Sequence, residues 1–93
     1  MVEITWTDLA ADDLRLIHEY VSKDSKKYAD RLIEKLTERV DRLENFPKSR
    51  RIVPEFNLPT VRELIEGNYR IIYKPLPGQI IIVRIHHAAR ELK

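Results

Sequence analysis

Four arginines, Arg62, Arg70, Arg84 and Arg90, are set among short apolar runs in the last third of this chain. The stretch reads V-R-E-L-I-E-G-N-Y-R-I-I-Y-K-P-L-P-G-Q-I-I-I-V-R-I-H-H-A-A-R-E-L-K, from Val61 to Lys93. Guanidinium stays charged and donates two parallel hydrogen bonds to a carboxylate or a phosphoryl group. A small antiparallel sheet presenting such groups is a surface for grasping an anion. The sequence offers no Ser-His-Asp set, no cysteine and no glycine-rich phosphate loop. Any chemistry therefore falls to Arg, His and Tyr.

His86 and His87 are adjacent in a strand-like run, so their side chains point to opposite faces and cannot together clamp a metal. No Asp, Glu or Cys stands at a spacing that completes a zinc set, and neither metal nor cofactor is expected. Histidine titrates near neutral pH, which makes one of the pair a candidate general acid or base. A buried, hydrogen-bonded structural role for at least one of them is the commoner outcome. His18 falls on the outward side of the first helix and is assigned no role.

The elements that must position these groups follow from periodicity. Val2 to Trp6 reads as a strand. Thr7 is placed to cap a helix, with Asp8 in the first turn, where a carboxylate favours the positive end of the dipole. Ala10, Leu14, Ile17 and Val21 recur at helical spacing and are predicted to face the core. Asp24 or Ser25 starts a second helix of about 20 residues, at the 3.6-residue period, with Ala29, Leu32, Leu36, Val40 and Leu43 as its buried stripe and Ile33 beside it. Lys35, Glu38, Arg39, Asp41 and Arg42 form a mostly solvated face. Phe46-Pro47 ends this helix, because the residue before proline is pushed out of the helical region. The short connection makes the two helices an antiparallel hairpin.

From Pro47 the period changes to that of strands. Arg51-Ile52-Val53 is a short strand ended by Pro54, and Glu55 to Thr60 is a loop. Val61 to Ile65, Tyr69 to Lys74 and Ile80 to His87 follow as strands. The order β-α-α-β-β-β predicts an α+β fold. A helical hairpin lies on one face of a largely antiparallel sheet of about four to five strands, into which the N-terminal strand inserts. Residues 1–93 read as one domain.

A final hairpin centred on Pro77 would set Lys74 opposite Ile80, Ile72 opposite Ile82 and Arg70 opposite Arg84. Tyr69, Ile71, Tyr73, Ile81, Val83 and Ile85 then face the core. Arg70, Ile72, Lys74, Ile80, Ile82, Arg84 and His86 are left on the far face. A tighter turn on Pro77-Gly78 would slip the pairing by one residue and mix the sets. On the first register the exposed isoleucines call for a protein partner and the arginines for an anion.

Composition limits the rest. The 93 residues are 43% hydrophobic, enough for one modest core, and have no cysteine. That usage is compatible with a reducing cytoplasm. No apolar run approaches the roughly 20 residues of a membrane helix, and no signal segment is seen at the start. Residues 1–46 carry 8 Lys and Arg against 11 Asp and Glu, a net −3, while residues 47–93 carry 9 against 4, a net +5. A basic C-terminal half suits an acidic partner or nucleic acid, or guards strand edges against aggregation.

Tyr69-Arg70-Ile71-Ile72-Tyr73, a short hairpin, and a β-branched run closing on His86-His87-Ala88-Ala89-Arg90-Glu91 resemble the RelE/ParE superfamily of toxins from bacterial toxin–antitoxin modules. Val61-Arg62-Glu63-Leu64 fits the preceding strand. Ile4-Thr5-Trp6, followed by Ala10, Ala11, Asp13-Leu14, Ile17 and Tyr20 on a helix, fits the opening. The resemblance covers most of the chain and implies a cytoplasmic toxin of a type II module, held in a hetero-oligomer by a cognate antitoxin. In the ribonuclease branch, arginines at the positions of Arg70 and Arg90 hold the scissile phosphate, and His86 completes the candidate catalytic set. That branch also has lysines on the preceding strand, where this chain has Arg62 and Glu63, and a tyrosine after the last arginine, where none follows Arg90.

The resemblance therefore implies ParE-like inhibition of DNA gyrase as the first expectation. RelE-like, ribosome-dependent and metal-independent cleavage of mRNA is the alternative, and a non-toxic antitoxin-binding module is the third. Antitoxin binding is expected at Ile72, Lys74, Ile80, Ile82 and Arg84.

Overall fold

The structure, a computed structural model, describes residues 2–44, 51–52 and 60–87, with backbone alone at 51–52. Strand β1 (Glu3–Trp6) leads to helices α1 (Asp8–Ser22) and α2 (Lys26–Asp41), and α2 runs into a 3₁₀ turn at Arg42–Glu44. Strands β2 (Arg51–Ile52), β3 (Arg62–Glu66), β4 (Tyr69–Leu76) and β5 (Gln79–His87) follow. The sheet order is β1-β5-β4-β3-β2. β1 joins at the edge, parallel to β5, and the other pairs are antiparallel. The expected α+β architecture is formed. The expected helix end at Phe46-Pro47, the Pro54 stop and the loop after it lie outside the described residues.

Each helix begins on a hydroxyl cap. The Thr7 Oγ1 accepts the N–H of Ala10 at 3.0 Å, and the Ser25 Oγ accepts that of Tyr28 at 3.1 Å. Such caps satisfy amides that have no partner within the helix. His18 does find a role: its Nε2 lies 2.7 Å from Asp30 Oδ1, tying α1 to α2. Hydrogen bonds from His18 and Lys26 lower the Asp30 pKa.

The core lies between the helical hairpin and the sheet. Ala10, Leu36, Val40, Leu43, Leu64, Ile71, Tyr73, Ile80, Ile82 and Ile85 are buried together, with Ile4, Trp6, Leu14, Ile17, Leu32, Ile33 and Tyr69 packed around them. Full burial of one such aliphatic side chain contributes about 1.5–3 kcal/mol. The helix stripes fall where the periodicity puts them.

The register of the last hairpin does not. β4 and β5 meet through a two-residue turn, Pro77-Gly78, with Leu76 opposite Gln79. Proline fixes its φ near −65° and Gly78 sits at φ +71°, the pair of signs a type II turn requires. Pro75 then pairs with Ile80, Lys74 with Ile81 and Tyr73 with Ile82, one residue away from the expected register. Side chains alternate along a strand, so this slip sends Ile80 and Ile82 to the core in place of Ile81 and Val83. Val83 is the extra residue of a bulge opposite the Ile72–Tyr73 step. Beyond it Ile72 faces Arg84, Ile71 faces Ile85, Arg70 faces His86 and Tyr69 faces His87. The bulge thus restores the phase, and Ile85 is buried as expected.

Candidate functional site

On the sheet face away from the helices, the register brings Glu63, Ile65, Arg70, Ile72, Arg84 and His86 together. Arg70 and Glu63 are diagonal neighbours on β4 and β3, within reach of long side chains. Arg70 Nε donates to Glu63 Oε1 at 2.8 Å, and its Nη2 lies 2.8 Å from the same oxygen. Both side chains are buried, to 7% exposure for Arg70 and 0% for Glu63. Two of the guanidinium's donors thus already serve a carboxylate. A phosphate brought here meets an arginine already engaged by a carboxylate, not a bare cation, and would have to compete with that buried contact. His86 is the cross-strand partner of Arg70. Arg90 lies outside the described residues.

Arg84 has a different partner. Its Nε and Nη2 donate to the two oxygens of Asp13 on α1, at 2.8 and 3.0 Å. The same carboxylate accepts the backbone N–H of Ile85 at 3.0 Å. Burial alone would raise the Asp13 pKa. The hydrogen bonds from Arg84 and Ile85 and the charges of Arg84 and His86 outweigh it, so the pKa is lowered. The same bond raises that of Arg84. Thr7 contributes next door, donating its hydroxyl to the Val83 carbonyl at 2.7 Å and its N–H to the Ile82 carbonyl at 3.0 Å. Where β1 ends, Thr7 and Asp13 take over the edge of β5 and hold the bulge.

The residues expected to bind an antitoxin do not form one exposed stripe. Ile80 and Ile82 have no exposed surface and belong to the core, because the tight turn reverses their faces. Ile72 is on the far face but is itself buried. Lys74 is exposed, and Arg84 is held by Asp13. The exposed large apolar residues on that face are Ile65 and, by alternation along β4, Leu76. The Arg70–Glu63 contact had a sequence signal, a carboxylate across from an arginine on adjacent strands. The Asp13–Arg84 contact had none, since 71 positions separate its partners. Among the described residues, no three His, Cys, Asp or Glu side chains gather to hold a metal ion, and no helix is long and apolar enough to cross a membrane.

The fold is a small α+β scaffold, two helices on one five-stranded mixed sheet with a buried Arg70–Glu63 pair on its far face. Residues 4–92 match the model of the ParE toxin of the type II toxin–antitoxin system parDE. The chain is 35% identical over 91 residues to "Toxin RelE2" of Caulobacter vibrioides, covering 97% of this chain and 99% of that one. It also superposes on a chain of the chromosomal ParDE toxin–antitoxin system from P. aeruginosa with a TM-score of 0.78, at 27% identity, over 94% of this chain and 96% of that one. This protein belongs to the ParE toxin family of type II toxin–antitoxin systems.

Proposed function

We propose that this toxin acts in the cytoplasm as a ParE-like inhibitor of DNA gyrase and is neutralised in a hetero-oligomer by a cognate antitoxin. The observation that supports the gyrase reading is the buried Arg70–Glu63 pair. A nuclease of this superfamily needs its central arginine to stabilise charge developing on a phosphate, an effect that rests on donors free to reach it. Here that arginine is engaged by a carboxylate from the adjacent strand, and the carboxylate itself repels a phosphate. A gyrase inhibitor needs a protein-contact surface and no catalytic set. The competing RelE-like reading, a metal-independent mRNA endonuclease using Arg70, Arg90 and His86, draws support from the relative named Toxin RelE2 and from His86 facing Arg70.

Purified toxin added to gyrase with relaxed plasmid, and separately to translating ribosomes, divides the two. Loss of supercoiling with intact message supports gyrase inhibition. Cuts in ribosome-bound message, abolished by Arg70→Ala, support the nuclease. Inactivity in both assays leaves the non-toxic antitoxin-binding module. For the antitoxin we propose the far face of the β4–β5 hairpin, around Lys74, Leu76 and Ile81, with Ile65 beyond them. These residues combine exposed apolar surface with a cation, and the charge excess of the C-terminal half suits an acidic partner.

A further inference from the structure

On the helix side of the sheet, opposite Arg70, a groove of about 330 Å³ runs between the start of α2 and the β3–β4 turn. We propose that it binds one nucleotide, with the base against Tyr28 and Tyr69 and the phosphate at Arg31. Tyr28, Arg31, Leu32 and Lys35 line it from α2, and Glu66, Gly67, Asn68 and Tyr69 from the turn. Tyr28 is 61% exposed, so its ring is open to a ligand entering the groove. Tyr69 is set from below by His87, edge to face at 5.6 Å between centroids. Burial raises the Tyr69 pKa, and Tyr28 and Tyr20 add to the shift.

The cations are unequally engaged. Glu66 holds Lys35 at 3.5 Å and Arg39 at 3.0 Å. Arg31 is exposed and forms no ion pair among the described residues. One guanidinium is therefore available beside two aromatic faces. Every base has a π-face that stacks on such rings irrespective of sequence, and a cation follows the phosphate. The Asn68 amide and the Glu66 carboxylate supply a donor and an acceptor for a base edge or a ribose hydroxyl. An acidic peptide helix would use the same cations, but it needs a long apolar trough, and Leu32 is the one aliphatic side chain lining this groove. The volume is that of a small-molecule site.

Free nucleotide and a residue of single-stranded RNA share this chemistry, and one titration series separates them. The full-length toxin is titrated with AMP, adenosine, inorganic phosphate and an oligoadenylate hexamer, followed by calorimetry and amide NMR shifts. AMP is expected to bind more tightly than adenosine or phosphate and to shift the amides of Gly67 and Asn68. Tyr28→Ala is expected to weaken it about tenfold, and Arg31→Gln to weaken it and flatten the salt dependence. Both residues are exposed, so the variants should fold, which is checked by their melting curves. A hexamer much tighter than AMP identifies single-stranded RNA as the source, and equal affinities identify the free nucleotide. Absence of AMP and hexamer binding at millimolar concentration overturns the proposal. So does binding that Tyr28→Ala and Arg31→Gln leave unchanged, or a groove that takes an acidic helical peptide and neither nucleotide ligand.

Discussion

Asp13, in the second turn of α1, holds Arg84 of β5 through both carboxylate oxygens and accepts the neighbouring Ile85 amide as well. One short side chain thereby locks a helix to the bulged half of the sheet. Arg84 is part-exposed, which moderates the contribution of the ion pair through solvent screening. The part-buried amide contact is screened less. Asp13→Ala should lower stability by about 1.5–3 kcal/mol, the range for hydrogen bonds to a charged group, measured by urea denaturation at neutral pH.

The same carboxylate predicts a pH dependence. Its pKa is lower in the folded state than in the unfolded chain, so the folded state binds its proton less readily. The stabilisation is fully present above the unfolded value of about 3.9 and is lost as pH falls through the folded one. Stability of wild type and Asp13→Asn, measured from pH 7 to pH 2.5, should therefore converge at the acid end. A constant gap would show that Asp13 acts through shape and not through charge.

Glu63 and Arg70 form the second charged contact that matters for stability. Removing one partner of a buried ion pair typically costs about 3–5 kcal/mol. Glu63→Ala and Arg70→Ala should both melt far below wild type. Replacing the two together by Leu and Met should recover part of the loss. If Arg70→Ala instead melts like wild type, the arginine is held for function and the nuclease reading gains.

Leu36 sits in the middle of the α2 stripe with no exposed surface. Leu36→Ala should cost about 2–5 kcal/mol from lost transfer energy and the cavity left behind. In a domain this small each kcal/mol moves the midpoint by about 4–8 °C, so a fall of about 8 °C or more is expected by calorimetry.

For the antitoxin, Leu76→Asp and Lys74→Glu should weaken the complex at least tenfold, as loss of an anchor and of a complementary charge does, while the free toxin keeps its melting temperature. Ile82→Asp should behave quite differently. It places a carboxylate at a fully buried core position, so it should unfold the toxin itself. Pull-down together with circular dichroism on all three variants tells surface from core.

The helices were legible in the sequence because their determinants are local. Thr7 and Ser25 lie next to the turns they cap, and the apolar residues from Ala10 to Val21 and from Ala29 to Val40 repeat at a period only a helix satisfies. The succession of strands along the chain followed from β-branched runs broken at Gly67-Asn68 and within Pro75 to Gln79. The Arg70–Glu63 contact was within reach of the same reasoning, since adjacent strands in a tight hairpin leave few possible partners.

What only the tertiary structure decided was phase and long-range pairing. In Ile80-Ile81-Ile82-Val83 every residue is equally apolar, so the pattern carries no mark of which ones face inward, and a slip of one residue exchanges the faces. The choice is made where β5 must satisfy two demands at once. The Pro77-Gly78 turn sets one phase near the hairpin end, and the packing of Ile85 sets the other beyond Val83. The bulge between them is held from outside the strand by Thr7 and Asp13. Those residues are 76 and 72 positions away along the chain, a distance over which no local propensity extends. The sequence could thus specify a sheet bearing arginines, but folding chose their partners. Arg84 went to Asp13 on a distant helix, because a charge placed by backbone geometry takes whichever carboxylate the packed elements bring within about 3 Å of it.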